Sequence, residues 1–113
     1  MAATYVFAAL PVADFAAGRA WYERLMGRPP DLVPNDIEAA WQLTETGWFY
    51  VIGDAGRAGK ALLAVLVDDL AEHVADLARR GLDVPIETVP GVGLEAIVKD
   101  PEGNTIKFAQ PGG

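Results

Sequence analysis

The feature that most constrains this chain of 113 residues is an internal repeat at about half its length. The segment FAALPVADFAAGRA (residues 7–20) aligns with LLAVLVDDLAEHVA (residues 62–75) at an offset of 55 residues. Both copies share one order: an apolar run, a Val-x-Asp-apolar step, a helix-like stretch and then a glycine. Such self-similarity predicts two copies of one structural module that together bury a common core.

Each copy is predicted to contain a strand, a helix and two or three further strands. Asp14 has the position of a helix N-cap in the first copy, and Gly27 ends that helix. In the second copy Asp68 or Asp69 caps a helix that ends before Gly81. The segments with strand patterns are 4–12, 36–43, 47–53, 61–67, 83–89, 93–100 and 104–110.

These elements predict a single α+β domain over residues 1–113. Two tandem βαβββ modules, 1–53 and 60–113, form a curved mixed sheet with the helices on its convex face. The Gly-rich segment GDAGRAGK (53–60) joins them. It has the glycine content of a phosphate loop, but it lacks the Lys-Ser/Thr pair and precedes no helix, so we interpret it as a linker.

Composition excludes several classes of chemistry. The chain has no cysteine, which excludes disulfides, thiolate metal sites and cysteine nucleophiles, and it has no serine. Its one histidine, His73, is predicted on the solvent side of the second helix, away from any cleft. A net charge of -7 with scattered basic residues argues against a nucleic-acid partner.

The apolar N-terminal segment resembles neither a signal peptide nor a membrane span. It has no basic leader, Pro11 and Asp14 interrupt it, and it is too short to cross a bilayer. We therefore expect a cytoplasmic protein without a membrane partner.

Three segments in order resemble the vicinal oxygen chelate superfamily, which includes glyoxalase I, extradiol dioxygenases, fosfomycin-resistance enzymes and bleomycin-resistance proteins. The segments are PVADFAAGRAWYERLMGR, VDDLAEHVADLARRG and the closing DPEGNTIKF, which is similar to the family's DPxGNxIEL ending. The resemblance covers nearly the whole chain and implies the paired-module fold. Because this fold hosts many chemistries, it does not by itself imply one function.

The resemblance also implies where a metal would bind. Metal enzymes of the superfamily usually take a histidine from the first strand and a glutamate from the last strand of each module. The matching positions here are Phe7 and Leu62 for the histidines, and Lys107 and either Tyr50 or Val51 for the glutamates. None is a usual ligand of a divalent ion. The resemblance therefore implies a metal-free member without a cofactor.

Lys107 is the unusual residue of the closing strand. Period-two alternation places Thr105, Lys107 and Ala109 on one face, and Ile106 and Phe108 on the buried face. A lysine on the inner face of the sheet pairs with a carboxylate, binds an anionic ligand group or has a lowered pKa. A surface lysine whose stem lies on apolar neighbours is the other interpretation.

Aromatic residues concentrate in the middle strands of the first module. They favour either stacking on a planar or cationic ligand or packing in the core and in a dimer. Small residues at equivalent first-strand positions, Ala9 and Ala64, leave room for a cavity. The predicted ligand-binding cleft residues are Phe7, Ala9, Trp41, Trp48, Tyr50, Leu62, Ala64 and Lys107.

The resulting hypothesis is a metal-free small-molecule binding or sequestering protein of the glyoxalase/bleomycin-resistance type that forms a homodimer. The acidic charge favours a cationic ligand and Lys107 an anionic group, so the ligand stays open. A second hypothesis is a metal-independent lyase or isomerase that uses Lys107 with a carboxylate or Tyr50. A third is a metal enzyme with unusual ligands such as Glu38 or Glu95.

Overall fold

The computed structural model describes residues 1–112, which form two helices and eight strands. In chain order these are β1 (Val6–Val12), α1 (Phe15–Met26), β2 (Leu32–Asn35), β3 (Glu38–Gln42), β4 (Gly47–Gly53), β5 (Leu62–Leu66), α2 (Leu70–Arg79), β6 (Glu87–Val89), β7 (Gly93–Lys99) and β8 (Thr105–Pro111). Each half of the order reads βαβββ. The prediction of two βαβββ modules is therefore confirmed.

The strands form two mixed sheets of four strands each. Their orders are β1-β4-β3-β2 and β5-β8-β7-β6. In each sheet the first strand of the module pairs in parallel with the last, and the other pairs are antiparallel. The edge strands β1 and β5 lie next to each other, although within residues 1–112 they share no ladder. The predicted curved sheet is thus made of two adjacent sheets.

Local sequence signals determine the helix ends. The Asp14 side chain accepts a hydrogen bond of 3.1 Å from the Ala17 backbone N–H, and Gly27 ends α1 in the left-handed region with φ of 71°. Asp69 caps α2 by accepting a hydrogen bond of 3.0 Å from the Glu72 backbone N–H. Of the two capping candidates in the second copy, the structure selects Asp69.

Most strand boundaries differ from the sequence prediction by one or two residues, and β1, β2 and β6 show the physical causes. Strand β2 was not predicted, because it contains Pro34 and all of its residues are exposed; proline is tolerated there because β2 is a sheet edge. Strand β1 begins at Val6 because its ladder with β4 begins there. Only the last part of the predicted 83–89 strand forms, since Pro85 has no backbone N–H to donate.

A single hydrophobic core lies between the helices and one face of both sheets. It contains Leu10, Val12, Tyr22, Leu25, Ala39, Trp41, Phe49 and Val51 from the first module and Leu70, Leu77, Ala96, Val98, Ile106 and Phe108 from the second. Ile106 and Phe108 lie on the buried face, as their alternation predicts. Burial of each large side chain stabilises the fold by roughly 1.5–3 kcal/mol. Within residues 1–112, no helix lies over the opposite face of either sheet.

Two arginines bond the C-terminal ends of the helices to each other. The Arg80 guanidinium donates to the backbone oxygens of Arg24 (2.6 Å) and Leu25 (2.7 Å). The Arg24 guanidinium donates in return to the backbone oxygens of Arg80 and Gly81. These bonds satisfy carbonyls that have no partner within a helix. They hold both helices on the same side of the molecule.

Within residues 1–112, neither helix has the length and apolar character needed to cross a membrane.

The turn at residues 100–104, with the sequence DPEGN, holds a buried carboxylate. Asp100 is 4% exposed. Its carboxylate accepts hydrogen bonds from the Tyr22 hydroxyl (2.8 Å), the Asn104 side chain (2.8 Å) and the backbone N–H groups of Glu102 (2.9 Å) and Asn104 (3.0 Å). A buried carboxylate is tolerated when donors satisfy it in this way.

The same turn bonds the second module to the first. Asn104, which is fully buried, donates to the Pro11 carbonyl at 2.7 Å and accepts from the Ala61 N–H at 2.9 Å. The Glu102 carboxylate accepts from the backbone N–H groups of Ala13 (2.7 Å) and Asp14 (3.1 Å), where β1 passes into α1. We call residues 100–104 together with Tyr22 the intermodule joint.

Candidate ligand-binding site

Each sheet has one face that no helix covers, which we call the open face. In the first sheet, Phe7 is paired with Trp48 and Ala9 with Tyr50, so these four residues share a face. They lie opposite to the buried face that carries Leu10 and Phe49. In the second sheet the open face carries Leu62, Ala64 and Lys107. The structure therefore places seven of the predicted cleft residues on the open faces.

An aromatic patch of Phe7, Trp48 and Tyr50 lies on the open face of the first sheet. The rings of Phe7 and Trp48 are stacked with centroids 5.5 Å apart, and Tyr50 meets Phe7 edge-on at 6.4 Å. Phe7 is 47% exposed, and the other two are half-buried. Among residues 1–112 the enclosed Trp48 Nε1 has no hydrogen-bond partner. The patch thus combines accessible ring surface with one unpaired donor.

Trp41 does not belong to this patch. It lies opposite Phe49 in the β3–β4 ladder and therefore shares the face covered by α1. Its ring is fully buried, is stacked on Phe49 with centroids 5.4 Å apart, and donates a hydrogen bond of 3.1 Å to the Arg28 carbonyl. Of the predicted cleft residues, Trp41 is the one that the structure places in the core.

Lys107 lies on the open face of the second sheet and faces a carboxylate. Its ammonium nitrogen is 3.5 Å from Oε2 of Glu95, which lies on the neighbouring strand β7. The lysine side chain is 41% exposed and the glutamate side chain 19%. An ion pair this accessible contributes little to stability, typically about 0–1 kcal/mol. Its consequence for binding is that Glu95 offsets the charge of Lys107.

The ladder register identifies the residue that corresponds to Lys107 in the first module. Ala9 pairs with Tyr50 in the first sheet as Ala64 pairs with Lys107 in the second. The counterpart of Lys107 is therefore Tyr50. Val51 is fully buried on the helix side and is not a candidate.

The side chains at the four family positions do not fit a divalent metal ion. Phe7, Tyr50, Leu62 and Lys107 present a phenyl ring, a phenol, an alkyl chain and an ammonium group. Divalent transition-metal ions in proteins usually take imidazole, carboxylate or thiolate ligands. Within residues 1–112, no three His, Asp or Glu side chains form a group that could hold a metal ion. Glu95 is therefore not part of such a group.

A cavity of about 400 Å³ adjoins the aromatic patch, and Tyr50 belongs to both. One wall is apolar and the other comes from the 53–60 loop, and the lining residues are Ala9, Pro11, Tyr50, Ile52, Asp54, Arg57, Lys60 and Ala61. Arg57 and Lys60 were not among the predicted site residues. The sequence signal that could have identified these two residues is the presence of two cations in one short loop of an acidic chain.

His73 lies on the helix side of the second sheet. Its ring packs against Phe108 with centroids 4.2 Å apart, and its enclosed Nε2 has no hydrogen-bond partner among residues 1–112. Burial, reinforced by the positive charge of Arg80 and opposed by Asp76, lowers the pKa of His73. The prediction of a solvated histidine is therefore wrong, because the α2 face that carries His73 packs on β8.

Comparisons with known proteins agree with this geometry. The sequence model described as the Glyoxalase/Bleomycin resistance protein/Dioxygenase superfamily matches residues 4–108. A glyoxalase/bleomycin resistance protein from Catenulispora acidiphila is 34% identical, with a TM-score of 0.88 over 96% of this chain and 98% of that one. No curated protein sequence matches the chain.

Two more distant solved structures share the fold. The antibiotic binding protein TnmS3 from Streptomyces sp. is 21% identical, with a TM-score of 0.73 and 99% of both chains covered. Lactoylglutathione lyase from Agrobacterium tumefaciens is 18% identical, with a TM-score of 0.71 over 97% of this chain and 95% of that one. The same fold thus occurs in a binding protein and in an enzyme.

Proposed function

Because the chain belongs to the Glyoxalase/Bleomycin resistance protein/Dioxygenase superfamily, we propose that it binds or sequesters a small molecule without a metal ion. The observation that carries this proposal is the aromatic patch of Phe7, Trp48 and Tyr50. Its rings are accessible on a sheet face that no helix covers, and a cavity of about 400 Å³ adjoins it. Pockets of this size accommodate small ligands, and aromatic rings stack on planar groups.

Two further observations support binding rather than metal-assisted chemistry. The four positions that hold ligands in the metal enzymes carry no usual metal ligand here. Within residues 1–112 the enclosed Trp48 Nε1 has no hydrogen-bond partner, and a small rotation of its ring would let it donate to a ligand acceptor. The fold is compatible with this role, since TnmS3, which shares it, is an antibiotic binding protein.

A homodimer forms part of the proposal. Four large apolar side chains on the open faces are strongly exposed, namely Leu62 (71%), Leu66 (70%), Phe7 (47%) and Ile97 (45%). Such a concentration of apolar surface is typical of a binding or association face. A second copy covers part of this surface and closes the cleft around a ligand. Native mass spectrometry measures the oligomer and any bound molecule, and a strictly monomeric protein would contradict this part of the proposal.

The binding function is tested with the uncharged aromatic probe N-phenyl-1-naphthylamine. We expect it to bind the wild type with enhanced fluorescence and to bind Trp48→Ala at least about tenfold more weakly, because stacking area is lost. Trp21→Ala is the control, since Trp21 lies on α1. Dialysis against a chelator should leave binding unchanged. Binding that is lost on chelation and restored by a divalent ion would refute the metal-free proposal.

A second candidate function is a metal-independent lyase or isomerase. The observation that favours it is the 3.5 Å approach of Lys107 to Glu95, which puts an acid and a base side by side. It predicts turnover of a carbonyl substrate with a bell-shaped pH profile that Lys107→Ala abolishes. Unchanged ligand affinity in Lys107→Ala, together with no turnover across a carbonyl panel, would exclude it.

A further inference from the structure

We infer that the cavity between the aromatic patch and the 53–60 loop is an anion subsite. Lys60, assisted by Arg57, binds a carboxylate, sulfonate or phosphate whose aromatic or apolar body lies on Tyr50 and its neighbours. This inference rests on the proposed binding function and adds the chemical class of the ligand, an aromatic compound with one anionic group.

The loop holds its charged side chains at the edge of an apolar wall. The Asp54 backbone N–H donates to the Val12 carbonyl at 2.9 Å, which fixes the start of the loop at the end of β1. Arg57 lies 3.1 Å from the Asp54 carboxylate, and both side chains line the cavity with Lys60. The other lining residues are Ala9, Pro11, Tyr50, Ile52 and Ala61. The cavity therefore has one end lined by charged residues and one end lined by apolar residues.

Lys60 has the more available charge in this space. Within residues 1–112, no carboxylate oxygen lies within 4.0 Å of its nitrogen, whereas Asp54 pairs with Arg57 and Glu95 pairs with Lys107. The guanidinium of Arg57 has five N–H donors and can contact a ligand while it remains paired. The subsite thus binds an anion through Lys60 first and Arg57 second.

The positions of the two loop cations explain how an acidic protein can bind an anion in this cavity. The net charge of -7 is spread over the chain, and salt screens charges more than about 8 Å away at physiological ionic strength. The lining of the cavity itself carries two cations, Arg57 and Lys60, and one carboxylate, that of Asp54, so the charge of the lining favours an anion. The subsite lies beside Tyr50, so the same ligand reaches the aromatic patch.

The test compares two fluorescent probes that differ by one sulfonate. 8-Anilinonaphthalene-1-sulfonate carries the anion, and N-phenyl-1-naphthylamine is its uncharged counterpart. We expect the sulfonate to bind the wild type about tenfold more tightly, as for one charge-assisted contact at a partly exposed site. Lys60→Gln should remove this preference, so that both probes bind the variant with similar affinity. Lys99→Gln makes the same change in net charge at another exposed lysine and should keep the preference.

Asp54→Asn provides an independent readout. It removes the carboxylate that competes with the ligand for Arg57, so the sulfonate should bind more tightly by a few-fold while the uncharged probe does not. A purely structural role of the loop would not produce tighter binding. The tighter binding should fade at high salt, because screening weakens exposed charge pairs.

The outcomes separate the two proposals. If both probes bind the wild type equally, or if Lys60→Gln and Lys99→Gln behave alike, the anion subsite is refuted and the binding function stands. If neither probe binds, the binding function fails for aromatic ligands, and the subsite is tested with inorganic phosphate by ¹H–¹⁵N spectra. Shifts confined to amides 53–61 that disappear in Lys60→Gln would then support it, and their absence would overturn it.

Discussion

The intermodule joint predicts that Tyr22→Phe destabilises the protein although it removes a single oxygen atom. The Tyr22 side chain is fully buried, and its hydroxyl donates to Asp100 at 2.8 Å. Phenylalanine keeps the ring contacts with Trp41 and Phe49. The change therefore isolates the hydrogen bond to a buried carboxylate from the packing of the core.

The magnitude follows from the remaining donors. A hydrogen bond to a charged group contributes about 1.5–3 kcal/mol. Asp100 keeps three other hydrogen bonds in the variant, including one from the Asn104 side chain. We therefore expect a loss near the lower end, about 1.5–2 kcal/mol. For a chain of this length that corresponds to a fall in Tm of roughly 6–8 °C.

Alkaline pH gives a second signature of the same contact. Burial, followed by the charge and hydrogen bond of Asp100, raises the pKa of Tyr22 well above its ordinary value. The folded protein then keeps a proton that the unfolded chain releases above about pH 10. Tyr22 therefore stabilises the fold below that pH, and its contribution falls by about 1.4 kcal/mol per pH unit above it. Tyr22→Phe lacks this fall.

Urea unfolding at pH 7 and at several pH values from 9 to 11.5 measures both effects. Tyr5→Phe is the matched control, because Tyr5 is 57% exposed. It should leave both the stability at pH 7 and the alkaline slope of the wild type unchanged. A Tyr22→Phe variant as stable as the wild type at pH 7, or with the same alkaline slope, would refute our account of the joint.

Three other positions give simpler predictions. Asp69→Ala removes the N-cap of α2 and should cost about 1 kcal/mol in urea unfolding, whereas Asp68→Ala should cost much less. Because the pKa of His73 is lowered in the folded protein, the unfolded chain takes up a proton first as the pH falls. The contribution of neutral His73 to the free energy of unfolding is therefore present above about pH 6.5 and falls below that pH. His73→Gln should flatten the fall in stability between about pH 6.5 and about pH 5, and an unchanged acid unfolding profile would contradict this prediction. Gly59 has φ of 86°, and a Cβ atom added there would meet the backbone carbonyl of Glu102 in the intermodule joint. Gly59→Ala should therefore lower Tm. An unchanged melting curve would contradict this prediction and show that the loop backbone adjusts to the extra methyl group.

The sequence predicts the fold well because its signals are local and repeated. Asp14, Gly27 and Asp69 determine helix ends through their own side chains or backbone freedom. The sequence does not predict strand β2, because β2 is exposed and contains a proline. It is a strand because it pairs with β3. Alternation divides each strand into two faces, but it does not say which face the helices cover. Alternation alone therefore predicts Trp41 in the cleft, although Trp41 lies in the core.

The candidate site was less predictable because it depends on register and on a loop. The approach of Lys107 to Glu95 follows from the β7–β8 ladder, in which Ile97 lies opposite Lys107 and Glu95 lies two residues further along. Propensity alone does not give that register. The glycine-rich sequence around Arg57 and Lys60 indicates a linker, and only the folded chain brings these two residues beside Tyr50.

The intermodule joint also bears on how the charge beside the aromatic patch can evolve in this chain. The contacts that hold the modules together run through the 100–104 turn and the helix ends, while residues 55–57 of the 53–60 loop are exposed. Substitutions at those loop positions change the charge beside the aromatic patch at little cost in stability. Under the proposed binding function, selection on this loop would therefore change the ligand specificity while the duplicated scaffold stays intact.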